Sequence, residues 1–171
     1  MLKKILGIAP KLESDGSYSP SKLALKLATV QKTDFQNTSY KKYEGKKSKV
    51  LVIFTEQKNL KMKNGKLFST GNHPVEALLP MLHLRNAGFD FEIATPTGKP
   101  VVFEMWAFPE KDEHVKAIYN DLKPQFDKPL KIKDFIENSF NDAGSYAAVF
   151  VPGGHGAMIG IPEDKNVGKA L

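Results

Sequence analysis

The chain contains no cysteine. No disulfide, thiolate metal site or cysteine nucleophile can therefore form within it, in keeping with a cytoplasmic setting. Long apolar runs are also missing: nothing approaches the roughly 18–20 residues of a membrane-spanning helix. The N-terminal MLKKILGIAP carries two lysines and only a brief apolar patch. It lacks the longer apolar region and small-residue cleavage site of a secretory signal and reads as a retained N-terminus. The GxSxG elbow, the HExxH and HxxxH metal patterns, the dinucleotide pattern GxGxxG with its acidic ribose reader and the Walker loop are all absent. Hydrolases of the serine-elbow type, zinc peptidases and P-loop nucleotide enzymes are thereby excluded as simple readings.

What is present is the material of one ordinary globular domain: 171 residues, 41% hydrophobic and 26% charged. The formal net charge is +6. Much of that excess sits in Lys41, Lys42, Lys46, Lys47 and Lys49, beside Tyr40 and Tyr43. Without a basic helix or a nucleic-acid motif, this stretch reads as a solvated linker, and no nucleic-acid or membrane partner is expected.

Residues 1–47 show little periodicity and read as an N-terminal extension or linker, with a short helix over Ser21 to Val30. Residues 48–171 carry the α/β pattern. Lys49 to Thr55 (KVLVIFT) is the continuous apolar run of a strand covered on both faces. Asn64-Gly65 marks a tight turn. His73 to Ala87 reads as a helix with Pro74 at its first position, Pro80 kinking its interior and Gly88 closing it. Phe89 to Thr95 is the next strand, joined to the first by a parallel crossover. Lys99 to Phe108 suggests short strands or an ordered loop. Lys111 to Lys123 and the stripe Ile132, Phe135, Ile136, Phe140 read as two helices, the second broken at Ala143-Gly144. Tyr146 to Val151 (YAAVFV) reads as a third buried strand, and Glu163 to Leu171 as the start of a further helix. Together they predict an α/β sandwich with a mainly parallel sheet.

Two places carry candidate chemistry. PGGHG, Pro152 to Gly156, follows the third strand at the end where open α/β sheets place ligands. Its glycines can expose backbone N–H groups, as an oxyanion hole requires. A phosphate cradle or a plain strand-to-helix turn remain alternatives, and His155 either lines the pocket or faces solvent. Glu76, early in the first long helix, suits a general acid/base. It also falls three residues after His73, the capping-box position, and the residue pattern alone favours the cap. His83 reads as a core or interface histidine, His114 as a surface one, and Phe103, Trp106 and Phe108 as core or interface aromatics.

NGKLFSTGNHPVEALLPMLHLRNAGFDFEIAT, the segment FEMWAFP with Lys111-Asp112-Glu113, and YAAVFVPGGHGAMIGIPE together resemble the HchA-type chaperone and glyoxalase III branch of the ThiJ/PfpI superfamily. The resemblance runs from about Lys46 to Leu171. It implies a flavodoxin-like three-layer sandwich, here incomplete at the C-terminus, with cofactor-independent conversion of methylglyoxal to lactate. It also implies deglycation of glycated proteins, a holding-chaperone activity toward unfolded clients, and a cytoplasmic homodimer. It makes Glu76 the acid/base beside the catalytic cysteine and Gly153 and Gly154 the oxyanion donors. The family's cysteine, the histidine after it and their carboxylate partner have no counterparts in this chain, which reads as a fragment, expected to be inactive alone, with a natural short form that acts as a non-catalytic holding chaperone or is a truncated inactive homologue as the alternative. The positions matching a zinc site of some members are Arg85, Asp90 and Leu122, so no metal is expected there.

Overall fold

A computed structural model describes residues 6–139 and 144–171. The first five residues of the N-terminal patch, together with Phe140 and Ala143, lie outside the described residues. Strand β3 (Lys49–Ile53) is central. It pairs in parallel with β6 (Asp90–Thr95) on one side and with β8 (Tyr146–Phe150) on the other. A short strand, β7 (Leu130–Lys131), continues the sheet beyond β6, giving the order β7-β6-β3-β8.

The continuous apolar run of β3 is explained by its two faces. Val50, Val52 and Phe54 enter one buried cluster, with Ala77, Leu78 and Met81 of helix α2 (Pro74–Asn86) and Val115, Ile118, Leu122 and Phe126 of helix α3 (Glu113–Asp127). Leu51 and Ile53 point the other way, to Ile132 and Phe135 of helix α4 (Ile132–Ser139) and Val167 of helix α5 (Lys165–Ala170). A strand whose alternate side chains meet helices on both sides has no polar face to keep. The result is the flavodoxin-like three-layer α/β arrangement expected from the sequence.

β8 departs from expectation. The strand forms, but Ala147, Ala148 and Val149 are exposed rather than buried. Its apolar sequence resembles that of β3, yet among the described residues β8 lies at the edge of the sheet and pairs only with β3. Only its ends reach the core: Phe150 packs on one cluster, Tyr146 and Val151 on the other.

A second sheet, in the order β1-β2-β5-β4, combines the N-terminal segment with the loop after β3. Its strands are β1 (Lys11–Leu12), β2 (Tyr18–Ser19), β4 (Asn59–Lys61) and β5 (Leu67–Ser69). β4 and β5 form an antiparallel hairpin through Asn64-Gly65, with Gly65 at φ 78°. Tyr18 pairs in parallel with Phe68, so the chain's beginning is stitched to this hairpin. Helix α1 (Lys22–Ala28) follows, N-capped by Ser21. The segment after it crosses the α2–α3 layer: Lys111 N–H donates to Gln31 O at 2.8 Å, and Tyr43 N–H to Ala87 O at 2.8 Å. Lys99 to Phe108 is an ordered loop with a 3-10 turn at Met105–Ala107.

Candidate functional site

The site is built where the loop after β8 meets the start of α2. Asn72, fully buried, sets the meeting point. Its side-chain amide donates to Thr55 O at 3.0 Å and Val102 O at 2.7 Å, and its Oδ1 accepts from Thr55 N–H at 3.0 Å. One side chain thus ties the end of β3, the 101–104 segment and the approach to α2. Such buried amide networks hold only one arrangement when every group is satisfied.

The PGGHG turn then docks on that junction by its main chain. His73 N–H donates to Gly153 O and Gly156 N–H to Gly71 O, both at 2.9 Å. The fit leaves no room for side chains. A Cβ on Gly154 would lie 2.4 Å from His73 N and 2.5 Å from Gly71 O, and its φ of 121° is a conformation that favours glycine. A Cβ on Gly153 would lie 1.9 Å from Glu76 Oε2.

That last distance bears on both readings of Glu76. His73 is the N-cap of α2, its ring nitrogen accepting from Glu76 N–H at 3.4 Å. A full capping box would also need the Glu76 carboxylate on the His73 N–H. That N–H is given to Gly153 instead. The carboxylate, 58% exposed, lies over the glycine turn, with Oε1 4.0 Å from His73 Nδ1. Among the described residues no acceptor takes the N–H of Gly153 or Gly154. A carboxylate able to exchange protons and main-chain donors able to receive developing negative charge therefore stand side by side.

His73, Glu76, Glu104, Gly154, His155 and Met158 line one open cavity of about 230 Å³. All four residues singled out in the sequence, Glu76, Gly153, Gly154 and His155, come together here. His155 opens the 3-10 turn His155–Met158, half exposed, with its ring against the buried carboxylate of Glu104 at 2.8 Å. Glu104 escaped the sequence reading, although a lone acidic residue within VVFEMWAF was a visible signal of a buried charge. Asn72 escaped it too, since its partners lie 17 and 30 residues away.

The remaining histidines stand elsewhere. His83 is half-buried and shares a 2.7 Å hydrogen bond with the Tyr40 hydroxyl, while His114 is exposed on α3. Trp106 donates to Ser69 O at 3.1 Å and packs near Phe68. Of the positions matching the zinc site, Arg85 pairs with Asp121 at 2.8 Å, Asp90 is exposed and Leu122 is buried. Among the described residues no group of three metal-ligating side chains is arranged to hold an ion. No described helix is long and apolar enough to cross a membrane.

No family model matches the chain. Curated relatives do. It is 48% identical over 163 residues to a protein named protein/nucleic acid deglycase HchA from Pseudomonas aeruginosa (strain LESB58), covering 95% of this chain and 56% of the relative. It is 45% identical over the same length to the protein of that name from Staphylococcus aureus (strain JH9), with the same coverage. The chain thus spans a little over half the length of these relatives. Among solved structures, a glyoxalase III from Candida albicans is 25% identical with a TM-score of 0.54, over 72% of this chain and 51% of that one. A rapid encystment protein from Francisella tularensis, 18% identical with a TM-score of 0.55, shares the fold over 70% of this chain and 50% of its own. With 48% identity across nearly its whole length, the chain is similar to part of the HchA-type deglycases.

Proposed function

We propose that the Glu76–PGGHG pocket is one half of a site that processes reactive aldehydes. The chemistry would be that of a glyoxalase III or deglycase, on methylglyoxal or the carbonyl adducts of glycated protein. In this reading residues 48–171 form the N-terminal part of the α/β domain and residues 1–47 its extension. The observation that carries it is the contact of the Glu76 carboxylate with the Gly153 main chain, where a single Cβ would lie 1.9 Å from Oε2.

The chemistry needs a nucleophile, and the chain has no cysteine. A thiolate supplied from outside these residues attacks the aldehyde carbon, and the C=O pair moves to oxygen. The free N–H groups of Gly153 and Gly154 receive that charge without reorganising, which is how an oxyanion hole lowers a barrier. Glu76, whose carboxylate borders the same turn, takes the proton from the former aldehyde carbon and returns it to the neighbouring carbonyl carbon, and water then cleaves the thioester so formed, releasing lactate and the thiolate. The relatives' names and the glyoxalase III neighbour support this reading.

The test is Glu76→Gln in a form of the protein that supplies the cysteine. Proton transfer by a placed carboxylate contributes about 10²–10⁴-fold. Lactate formation from methylglyoxal is expected to fall by at least about 100-fold with an unchanged circular dichroism spectrum. Retained activity would return Glu76 to a structural role at the helix start.

A further inference from the structure

Glu104 is a carboxylate at 1% exposure in an otherwise apolar segment. A buried charge persists only where donors converge on it. Here they converge on one oxygen. Oε1 accepts from His155 N–H at 3.1 Å and from the Thr70 hydroxyl at 3.2 Å, and lies 2.8 Å from His155 Nδ1. The other oxygen, Oε2, is buried, and no described residue donates to it. Two of the contacts come from the same residue, so Glu104 fixes both the main chain and the ring of His155. The ring is further hemmed in by Phe68, edge-on at 5.2 Å, and by Trp106 at 6.3 Å.

A carboxylate oxygen offers only lone pairs, so the ring nitrogen facing it carries the proton. That makes Nδ1 the donor and leaves Nε2 bare in the neutral imidazole, the tautomer that a carboxylate imposes on a catalytic histidine. The ring belongs to the wall of the same cavity as Glu76.

We infer that His155 is a second proton acceptor of this pocket and that Glu104 is its positioning residue. A ligand hydroxyl placed at Nε2 gives its proton to the ring. The imidazolium so formed keeps its Nδ1–H on Glu104, whose negative charge balances it, and the proton returns to the ligand afterwards. The exposed Glu76 carboxylate is a further acceptor in the pocket wall. A wall of acceptors facing main-chain donors suits a molecule rich in hydroxyls at a carbonyl carbon, that is, the hydrated form of an aldehyde. The ligand class rests on the aldehyde reading above, whereas the tautomer does not.

Long-range ¹H–¹⁵N correlation of the histidine rings tests both. His155 is expected as the Nδ1–H tautomer in the native chain. Glu104→Gln retains an acceptor oxygen and is expected to preserve that tautomer, while Glu104→Leu is expected to release the ring to the Nε2–H form preferred by free histidine. An Nε2–H ring in the native chain overturns the pair, and this outcome stands even if the Leu variant fails to fold. Chloral hydrate, a stable aldehyde hydrate, serves as probe for the ligand. It is expected to shift the Nε2 resonance of His155 and leave that of His114 unmoved. An Nδ1–H ring that chloral hydrate does not shift would overturn the hydrate as ligand while the Glu104–His155 pair stood.

Discussion

Gly153 and Gly154 are neighbours in the chain with opposite reasons for being glycine. A side chain on Gly154 meets main-chain atoms of His73 and Gly71 that cannot move aside, at a φ of 121°. A side chain on Gly153 meets the mobile end of Glu76. Gly154→Ala is therefore expected to cost at least about 2 kcal/mol of stability, from strained backbone and overlap together. Gly153→Ala is expected to cost less than about 1 kcal/mol and to displace the carboxylate instead. Urea denaturation separates the two, and equal losses would mean that the turn is held by something other than this interlock. At this scale the sequence pointed to the place where Glu76 and the glycines meet, which the resemblance singled out, and to His155, which the turn itself offered as a pocket-lining residue. It was not informative for Glu104, whose partner lies 51 residues away, a distance no local pattern spans. The capping box forms only in its first half, with His73 accepting from Glu76 N–H, for a related reason. The spacing from His73 was right, but the His73 N–H was taken by Gly153, a partner far along the chain.

Among the elements, the long strands and helices followed from periodicity. The runs read at 49–55, 73–87, 89–95 and 111–123 formed close to their expected bounds, because their apolar side chains all find a layer to pack on. The short strands β1, β2, β4 and β5 did not announce themselves, since strands of two or three residues carry no period to read. β8 shows the remaining limit. Apolar sequence sets what a strand can bury, but neighbours decide what it does bury. The start of α3 carries a testable device. Asp112, buried, caps the helix through His114 N–H and Val115 N–H, each at 3.1 Å, and also accepts from Thr33 N–H at 2.9 Å and the Thr33 hydroxyl. Burial alone would raise its carboxyl pKa. The hydrogen bonds from Thr33, Val115 and His114 outweigh it and hold the group below the usual carboxylate range. A depressed folded pKa adds stability above the unfolded value of about 4 and loses it as pH falls through the folded value. Asp112→Asn is expected to destabilise the chain by about 1 kcal/mol at pH 7. The difference should shrink on acidification below about pH 4, where the wild-type side chain becomes protonated too. A loss equally large at pH 7 and pH 2.5 would show that charge has no part in the cap.

For the molecule as a whole, the sheet, the helices on its two faces and the loop after β8 have one consequence: they bring a carboxylate, a set of main-chain donors and a half-exposed histidine held by a buried glutamate to the end of the central strands. That end is where parallel sheets leave a crevice for a ligand. The chain spans 56% of its curated relatives and holds no thiol. In the proposed reading, the groups that would handle protons and negative charge lie within these residues, and the thiolate they would serve comes from outside them. The most direct measurement is lactate formation from methylglyoxal by the purified 171-residue chain, with the heat-denatured chain as control. Lactate is followed rather than aldehyde loss, because the surface lysines consume methylglyoxal on their own. The expected result is no lactate above the control. Sustained, native-state-dependent turnover by this cysteine-free chain would contradict the assignment of a thiolate mechanism to the Glu76–PGGHG pocket.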